Sequence, residues 1–338
     1  MTKILITGGA GFIGTNSACH FLEKGWEVTI LDNFSRAGSK TNIKFLQSKF
    51  KKHLKVVAGD IRYAKNELAS LTRDANVVIH LAAQVAVTTS VINPHEDFEI
   101  NALGTLNVLE AVRKSKTNPV LLYSSTNKVY GNLSGHEIVE KKTRYEFKKM
   151  PFGVPEDIGL DFYSPYGCSK GTADQYVHDY ARIYGLRTIV FRQSCIYGPH
   201  QFGIEDQGWL AWFTIASLEN RPITIYGTGK QVRDALYIDD LVNAYDMAIA
   251  NIQTTKGQVY NIGGGPKNTI SIWYDFFPLL EKFTGEKIKV YFKPQRPGDQ
   301  LIYVSDIRKS KKDFSWQPQV SLALGLNKLF EWIAKNKS

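Results

Sequence analysis

Cysteine is scarce in this chain of 338 residues, and its few copies follow no metal-binding or disulfide spacing. The three cysteines, Cys19, Cys168 and Cys195, are odd in number and include no CxxC pair. This spacing argues against a disulfide framework and against a structural zinc site. Long apolar runs are missing too, since none approaches the roughly 20 residues that cross a bilayer. The sequence therefore predicts no metal site and no membrane partner.

Acidic residues are also in deficit. The 32 aspartates and glutamates are outnumbered by 42 lysines and arginines, which gives a formal net charge of +10. The basic residues are scattered along the chain without interleaved aromatic side chains or a nucleic-acid-binding motif. We interpret them as solvated surface charge that also attracts a small anionic substrate. We therefore expect no nucleic acid among the partners.

Short β-branched runs alternate with helical patterns in the first part of the chain, which is typical of a parallel sheet flanked by helices. The first β-branched run, Lys3 to Thr7, occupies the position in which a signal peptide would have a basic segment followed by an apolar one. We therefore expect a cytoplasmic protein. A helix-then-strand pattern from Tyr237 to Gly263 suggests a later return to the sheet. The β-branched runs are Lys3 to Thr7, Val28 to Leu31, Leu54 to Val57, Val77 to Leu81, Val120 to Tyr123 and Thr188 to Phe191.

The chain is longer than one hydrophobic core usually organises, so a large domain with a smaller companion is expected. We predict an α/β fold with a Rossmann-type doubly wound parallel sheet in residues 1–194 and 236–262. A smaller α/β substrate-binding domain would comprise residues 195–235 and 263–338. Aromatic and glycine-rich segments are typical of this second part of the chain.

The first strand runs into a glycine-rich turn, Gly8 to Gly14, which contains both a GxGxxG and a GxxGxxG pattern. Such glycines permit a tight turn, close approach of backbone to a pyrophosphate, and close packing of helix on strand. Asp32 ends the second strand near the spacing expected of an acidic residue that binds the adenosine ribose. Its carboxylate would repel a 2′-phosphate and favours NAD, although Arg36 keeps NADP open. Asp60, after the third strand, would bind adenine or only form a turn.

A tyrosine and a lysine stand four residues apart, Tyr166 and Lys170, which places both on one face of a helix. A nearby ammonium stabilises phenolate, so we expect the pKa of Tyr166 to fall below its usual value of about 10. The phenolate can then take a proton from a substrate hydroxyl while hydride leaves the same carbon. A hydroxyl at the carboxyl end of the fifth strand would orient the substrate. We favour Thr126 for this role and keep Ser125 as the alternative.

The chain resembles the extended short-chain dehydrogenase/reductases, and among them the nucleotide-sugar epimerases. The resemblance rests on the order of three features: the glycine turn, the strand end Ser124 to Thr126 and the Tyr166–Lys170 pair. The resemblance runs along the whole chain. It implies an NAD-dependent enzyme with Thr126, Tyr166 and Lys170 as its triad, Lys170 also holding the nicotinamide ribose. It further implies a nucleotide-diphosphate sugar as substrate, and a homodimer or homotetramer for which the apolar helices after Asn101 and Tyr166 are suited. The expected cofactor contacts are Gly8, Gly11, Phe12, Ile13, Gly14, Asp32, Asn33, Ser35, Arg36, Asp60, Ile61, Leu81, Ala82, Ala83, Gln84, Asn101, Ser124, Tyr166, Lys170 and Gln193.

Longer segments narrow the resemblance to epimerases that act at C2 of CDP-activated hexoses. They are Ser124 to Gly131, Leu160 to Phe162, Ser164 to Gly171 and Asp206 to Trp209. The narrower resemblance implies a 2-keto intermediate and a cofactor that is regenerated in each turnover. A UDP-hexose 4-epimerase remains the main enzymatic alternative, because no spacing fixes which carbon is oxidised.

Two further classes fit less well. A sugar 4,6-dehydratase commonly has a carboxylate pair directly after the threonine, where this chain has Asn127 and Lys128. A non-catalytic NAD-sensing protein typically lacks the tyrosine or the lysine, and this chain has both.

The substrate contacts are assigned by residue type and by the positions usual in the family. Arg233 and Arg296 would grip the diphosphate, since guanidinium groups bind phosphate oxygens in pairs. Gln207 and Trp209 would contact the base or the ribose. Cys195 stands where many relatives have asparagine, which leaves open how the diphosphate is held and which nucleotide is bound. The expected contacts are Val87, Thr88, Thr126, Asn127, Tyr166, Cys195, Gln207, Trp209, Arg233 and Arg296.

Overall fold

The computed structural model describes residues 1–296 and 298–336, in which strands and helices alternate. The strands are β1 (Lys3–Thr7), β2 (Glu27–Asp32), β3 (Leu54–Ala58), β4 (Val77–His80), β5 (Val120–Thr126), β6 (Ile138–Glu140), β7 (Tyr145–Phe147), β8 (Thr188–Gln193), β9 (Cys195–Tyr197), β10 (Ile223–Tyr226), β11 (Val232–Tyr237), β12 (Gln258–Ile262), β13 (Thr269–Ser271), β14 (Val290–Lys293) and β15 (Ile302–Tyr303). The helices are α1 (Phe12–Glu23), α2 (Ser39–Lys49), α3 (Lys65–Thr72), α4 (Val87–Ile92), α5 (Pro94–Phe98), α6 (Gly104–Arg113), α7 (Pro165–Tyr184), α8 (Trp209–Leu218), α9 (Ile238–Ala250), α10 (Ile252–Thr255), α11 (Phe277–Thr284), α12 (Arg308–Phe314) and α13 (Leu322–Lys335).

Seven strands form one parallel sheet in the order β12-β8-β5-β4-β1-β2-β3. The order runs outward from β1 in both directions, as in a Rossmann-type doubly wound fold, so the predicted fold class is confirmed. Each β-branched run of the sequence is a strand of this sheet. The helix-then-strand pattern after Tyr237 is α9 followed by β12, which returns the chain to the sheet beside β8.

Both faces of the sheet are buried under helices, because the strands carry apolar side chains on both faces. In β1, Ile4 and Ile6 belong to one apolar cluster, while Leu5 belongs to another on the opposite face. The first cluster includes Phe21 of α1, and the second includes Val177 of α7. With both faces covered, the carboxyl ends of the strands are the part of the sheet that is open to ligands.

The helix predicted around Asn101 does not begin as the regular α-helix that its apolar periodicity indicates. A π-helical turn, Glu99–Leu103, carries Asn101 and leads directly into α6. Such a turn adds a residue to the helix and often lies beside a functional site. In this turn the Asn101 amide donates hydrogen bonds to the Gln84 carbonyl oxygen, to Asp97 and to Ser169.

Smaller sheets lie beyond the carboxyl edge of the large sheet. β11 pairs with β9, β13 and β15, and β10 pairs with β14. Asp234 of β11 is fully buried and accepts hydrogen bonds from the backbone N–H groups of Ser305 at 2.9 Å and Gly265 at 3.1 Å, and from the Ser194 hydroxyl. One carboxylate thus joins three separate segments. The domain boundaries proposed at residues 194/195, 235/236 and 262/263 stay a prediction.

Within residues 1–296 and 298–336, no helix is both long enough and apolar enough to span a membrane. The same residues hold no group of three or more His, Cys, Asp or Glu side chains arranged to bind a metal ion. The three cysteines are free thiols.

Candidate active site

A cavity of about 410 Å³ lies where the strands of the large sheet end. Its wall contains residues from the ends of β1, β2, β4 and β5, and residues of the smaller sheets close the opposite side. The predicted residues on this wall are Gly8, Gly11, Phe12, Ile13, Gly14, Asp32, Asn33, Ser35, Arg36, Asp60, Ile61, Leu81, Ala82, Ala83, Ser124, Thr126, Asn127, Tyr166, Lys170, Gln193, Cys195, Gln207, Trp209 and Arg233.

The glycine turn is packed so closely that side chains are excluded. A Cβ on Gly8, whose φ is +70°, would lie 2.6 Å from the backbone nitrogen of Ala82. A Cβ on Gly14 would lie 2.5 Å from the Gly8 carbonyl oxygen. Gly11 caps α1 without a side-chain hydrogen bond, so the first N–H groups of the helix have no such partner. The turn therefore suits a pyrophosphate, which binds unpaired N–H groups at a helix amino terminus.

Asp32 lies at the end of β2 against this turn. Its carboxylate accepts hydrogen bonds from the backbone N–H of Ala10 at 3.0 Å and of Phe34 at 2.8 Å. Burial raises the pKa of Asp32, while these two N–H groups and the Arg36 charge lower it. Asn42 of α2 is 2% exposed on the same wall, and its side-chain oxygen has no partner. Together these polar groups fit the adenosine half of a dinucleotide.

Asp60 is engaged by its neighbours. Its carboxylate accepts hydrogen bonds from the Arg62 guanidinium and from the Asn33 amide, the latter at 2.9 Å. Burial alone would raise the pKa of Asp60, but Arg62 and Asn33 hold it at about 2. Asp60 is thus an anchored carboxylate on the wall, and its contact with adenine stays a prediction.

The three predicted catalytic side chains meet at one end of the cavity. Ser164 caps α7 by accepting the Gly167 N–H at 3.0 Å, which fixes the first turn that carries Tyr166. Thr126, at the end of β5, acts on the Tyr166 phenol and lowers its pKa. Lys170, one turn along α7, donates to the Ser124 carbonyl oxygen at 2.6 Å. The arrangement provides a phenol, a hydroxyl and an ammonium around one point.

Burial governs the ionisation of this pair. Tyr166 is 8% exposed and Lys170 is 4% exposed. Burial raises the pKa of Tyr166 to about 12, with Thr126 and Arg36 acting against it. Burial lowers the pKa of Lys170 to about 7. The pKa of Tyr166 is therefore raised and not lowered as expected, because burial of the phenolate outweighs the opposing effects of Thr126 and Arg36.

Ser125, the alternative to Thr126, also lies on the cavity wall. Its hydroxyl donates to the buried Asp174 carboxylate at 2.6 Å. Asp174 in turn accepts two hydrogen bonds from Arg192, at 2.9 and 3.0 Å. Ser125 is thus committed to a structural network, which supports Thr126 as the hydroxyl that orients a substrate.

Cations surround a single carboxylate beside the cavity. Arg233 donates to Asp299 at 2.9 Å, and the Lys128 ammonium lies 3.6 Å from the same carboxylate. Burial lowers the pKa of Lys128 to about 8, against the attraction of Asp299. Asn127, predicted to touch a sugar, donates to Gln300 at 2.9 Å. The positive charge here exceeds the negative, which suits an anionic ligand.

Cys195 and Trp209 lie together beside these cations. Burial raises the pKa of the Cys195 thiol to about 12, against the lowering effects of the Arg233 charge and the Trp209 indole. The thiol therefore remains neutral and provides a small apolar wall where many relatives have an amide. Gln207 lies on the same wall.

Five predicted residues lie outside the cavity wall. Arg296 pairs with Asp206 at 3.0 Å and stacks on the Tyr226 ring. The Thr88 hydroxyl is buried without a partner. The contact assignments for these five residues stay predictions. The residues are Gln84, Val87, Thr88, Asn101 and Arg296.

No pattern in the sequence indicated residues 200–203, which we call the cover segment and which lie on the cavity wall. A Cβ on Gly38 would lie 2.0 Å from the Phe202 ring, so this aromatic side chain is pressed against the start of α2. The Phe202 ring centre lies 5.7 Å from that of Trp332 in α13. Other wall residues that were not predicted are Leu31, Ala37, Ser39, Asn42, Gly59, Val85, Ile100, Lys128, Ser194, Ile196 and Gly208.

Comparison with known proteins agrees with this geometry. Residues 4–263 match a family model described as the NAD dependent epimerase/dehydratase family. The chain is 45% identical over 337 residues to the CDP-paratose 2-epimerase of Salmonella typhi, with 98% of each chain covered. It is similar to the solved structure of the UDP-glucuronic acid 4-epimerase from Bacillus cereus in complex with UDP-glucuronic acid and NAD, with a TM-score of 0.85, 30% identity and 99% of each chain covered. A dTDP-glucose 4,6-dehydratase from Streptomyces venezuelae with NAD bound has a TM-score of 0.85 at 27% identity, covering 99% of this chain and 98% of its own.

These relatives confirm the expected enzyme class and cofactor. The similar proteins are epimerases and dehydratases of nucleotide sugars, and the solved structures named above contain NAD. The cofactor of this enzyme is NAD, and its binding at the glycine turn and Asp32 stays a prediction. The chain belongs to the NAD dependent epimerase/dehydratase family.

Proposed function

We propose that this enzyme inverts C2 of a CDP-activated hexose. The observation that carries the proposal is the 45% identity, over nearly the whole chain, to the CDP-paratose 2-epimerase of Salmonella typhi. The cavity supports it, because its wall contains the phenol, hydroxyl and ammonium as well as the cations Lys128 and Arg233. These cations would hold the diphosphate of a sugar nucleotide whose ring meets Tyr166.

The chemistry at the sugar is a proton transfer coupled to a hydride transfer. Thr126 and Tyr166 would hold the oxygen of the reacting hydroxyl, and the Tyr166–Lys170 pair would accept and return its proton. The glycine turn would hold NAD, which when bound would supply hydride acceptance from the carbon and hydride return to its opposite face. Both cofactor and pair end each turnover unchanged.

Inversion requires that the sugar turn while its attachment stays fixed. Arg233 and Lys128 would hold the diphosphate, sharing their charge between its oxygens and Asp299. Asn127 and Lys128 occupy the two positions after Thr126, and neither is a carboxylate that could assist loss of water. This supports epimerisation over dehydration.

The test is to follow sugar inversion by NMR with CDP-paratose and with UDP-glucose as separate substrates. We expect inversion at C2 of the CDP sugar, and the loss of about 100-fold or more of kcat in Tyr166→Phe. Tyr176→Phe, on the exposed face of the same helix, is the matched control and should keep full activity. Inversion of UDP-glucose at C4, without turnover of the CDP sugar, would replace this proposal by a UDP-hexose 4-epimerase.

We further propose that the enzyme is a homodimer in the cytoplasm. Apolar side chains are exposed on neighbouring helices: Phe98 at 53%, Leu103 at 40%, Ile183 at 65% and Tyr184 at 50%. Two copies could bury this surface, and the free thiols fit a reducing compartment. Light scattering after gel filtration should give twice the chain mass, and Ile183→Asp should lower it. A wild-type mass equal to that of one chain would refute the proposed dimer.

A further inference from the structure

A carboxylate without a role in the proposed chemistry lies beside the catalytic pair. Asp97 of α5 is 1% exposed. Its oxygens accept hydrogen bonds from the Ser169 hydroxyl at 2.5 Å, the Gln84 amide at 2.7 Å and the Asn101 amide at 3.1 Å. All three donors are neutral. Asp97 is therefore a buried carboxylate held by uncharged groups, an arrangement that is costly unless its charge is used.

Ser169 links this carboxylate to the catalytic helix. It lies between Tyr166 and Lys170 in α7, and its hydroxyl also lies 3.2 Å from the Tyr166 carbonyl oxygen. The Asp97 charge acts on both partners: it disfavours the phenolate of Tyr166 and favours the ammonium of Lys170. In both cases, the carboxylate favours the protonated form.

Other carboxylates near Lys170 are already neutralised. Asp174, one turn further along α7, is paired with Arg192 through two hydrogen bonds at 2.9 and 3.0 Å. The Lys170 ammonium itself contacts the Ser124 carbonyl oxygen at 2.6 Å and lies 4.3 Å from the centre of the Tyr123 ring. Among the described residues that act on Lys170, Asp97 is thus the carboxylate without a cationic hydrogen-bond partner.

The remaining groups near Tyr166 and Lys170 are neutral, are paired with an opposite charge, or shift the pKa of Tyr166 in the direction opposite to Asp97. His80 of β4 is neutral because burial lowers its pKa to about 3. Tyr123 of β5 is neutral because burial raises its pKa well above the usual value. Arg36, in the loop after β2, lowers the pKa of Tyr166 and so acts against Asp97. Arg192 of β8 is balanced by Asp174.

We propose that Asp97 is a positioning residue whose carboxylate helps Lys170 of the Tyr166–Lys170 pair to keep its ammonium proton near neutral pH. The pair titrates in two coupled steps, and the ammonium is the charge that lets Tyr166 exchange its proton with a sugar hydroxyl. A negative charge beside the pair raises both steps together. The inference rests on the proposed function, because that function makes Tyr166 and Lys170 the working pair.

The test is Asp97→Asn, which removes the charge and keeps the size and hydrogen-bonding capacity of the side chain. Both limbs of the pH profile of kcat/KM should move to lower pH by about one unit. At a fixed pH on the basic limb, this is about a tenfold loss of kcat/KM. Asp179→Asn removes the same charge from the exposed surface of α7 and should leave both limbs in place. Where Asp97→Asn fails to fold, Asp97→Ser removes the charge with less bulk.

A second readout does not depend on turnover. The side chain of Lys170 is titrated by NMR in protein carrying labelled lysine, with Lys170→Met identifying its signal. The midpoint should fall in Asp97→Asn and stay in Asp179→Asn, whichever sugar nucleotide the enzyme uses. Absence of C2 inversion with a lowered midpoint would refute the proposed function and keep this inference. An unchanged midpoint and unchanged limbs in folded Asp97→Asn would overturn it.

Discussion

Desolvation decides the charge of single residues in the cavity. Lys170 and Lys128 are both moved towards the neutral form, with pKa values of about 7 and 8, and Tyr166 is held protonated with a pKa of about 12. The four-residue spacing of Tyr166 and Lys170 predicts their common helix face, which the structure has. Spacing contains no information on the depth of burial, so the sign of the Tyr166 shift could not be predicted from it.

Lys128→Met tests the cation beside Asp299. Above pH 8 the wild-type ammonium loses its proton, because burial lowers its pKa to about 8, so attraction of an anionic substrate weakens and KM should rise with pH. In Lys128→Met, KM should be about tenfold higher at pH 7, since a charged hydrogen bond is lost. The further rise above pH 8 should disappear.

Steady-state kinetics with the CDP sugar from pH 6 to 9 measures this effect. Lys230→Met is the control, because Lys230 pairs with Glu140 away from the cavity wall and should leave KM unchanged. A KM of Lys128→Met that equals the wild-type value at pH 7 would place the diphosphate elsewhere.

The glycine turn between β1 and α1 is the element on which the cofactor site depends. Gly14→Ala should lower stability by about 1–3 kcal/mol, because its Cβ would lie 2.5 Å from backbone atoms that cannot move aside. We expect a melting temperature roughly 2–6 °C lower and reduced NAD content. Gly135→Ala is the control, since nothing lies within 4 Å of its added Cβ. Equal NAD content in both variants would contradict the assignment of the turn.

The connection of α7 to β8 depends on one buried ion pair. Asp174 is fully buried and the Arg192 side chain is 5% exposed. Asp174→Asn leaves a guanidinium uncompensated in the core and should cost about 3–5 kcal/mol. Asp179→Asn, from the exposed pair with Arg182 on the same helix, should cost less than about 1 kcal/mol. Urea unfolding followed by circular dichroism compares the two, and equal midpoints would refute the difference.

Elements that have a strong local sequence pattern could be predicted from the sequence. Elements that depend on contacts between residues far apart in the sequence could not. The β-branched runs gave the strands of the central sheet because burial on both faces selects such residues. The π-helical turn at Asn101 and the cover segment depend on packing between segments far apart in sequence. Asn127 illustrates the same limit at the site: its type fits a sugar contact, yet its amide bonds Gln300, 173 residues away.

At the scale of the whole molecule, the net charge of +10 acts on a substrate before any contact forms. An anionic sugar nucleotide should be attracted over distances that salt screens. We therefore expect KM to rise several-fold between about 20 and 300 mM salt, while kcat stays constant. A neutral osmolyte at matched osmolality is the control. A KM independent of salt would show that the surface charge has no part in capture of the substrate.

The cover segment connects the two ends of the polypeptide. Phe202 touches Gly38 near the start of the chain, and its ring packs against Trp332 in the final helix. His200 makes a second contact of this kind, because its ring centre lies 4.3 Å from that of Phe45 and 5.4 Å from that of Trp332. Trimming the carboxyl terminus back past α13 would consequently remove the Trp332 contacts of the cover segment, although no residue of that helix forms the cavity wall.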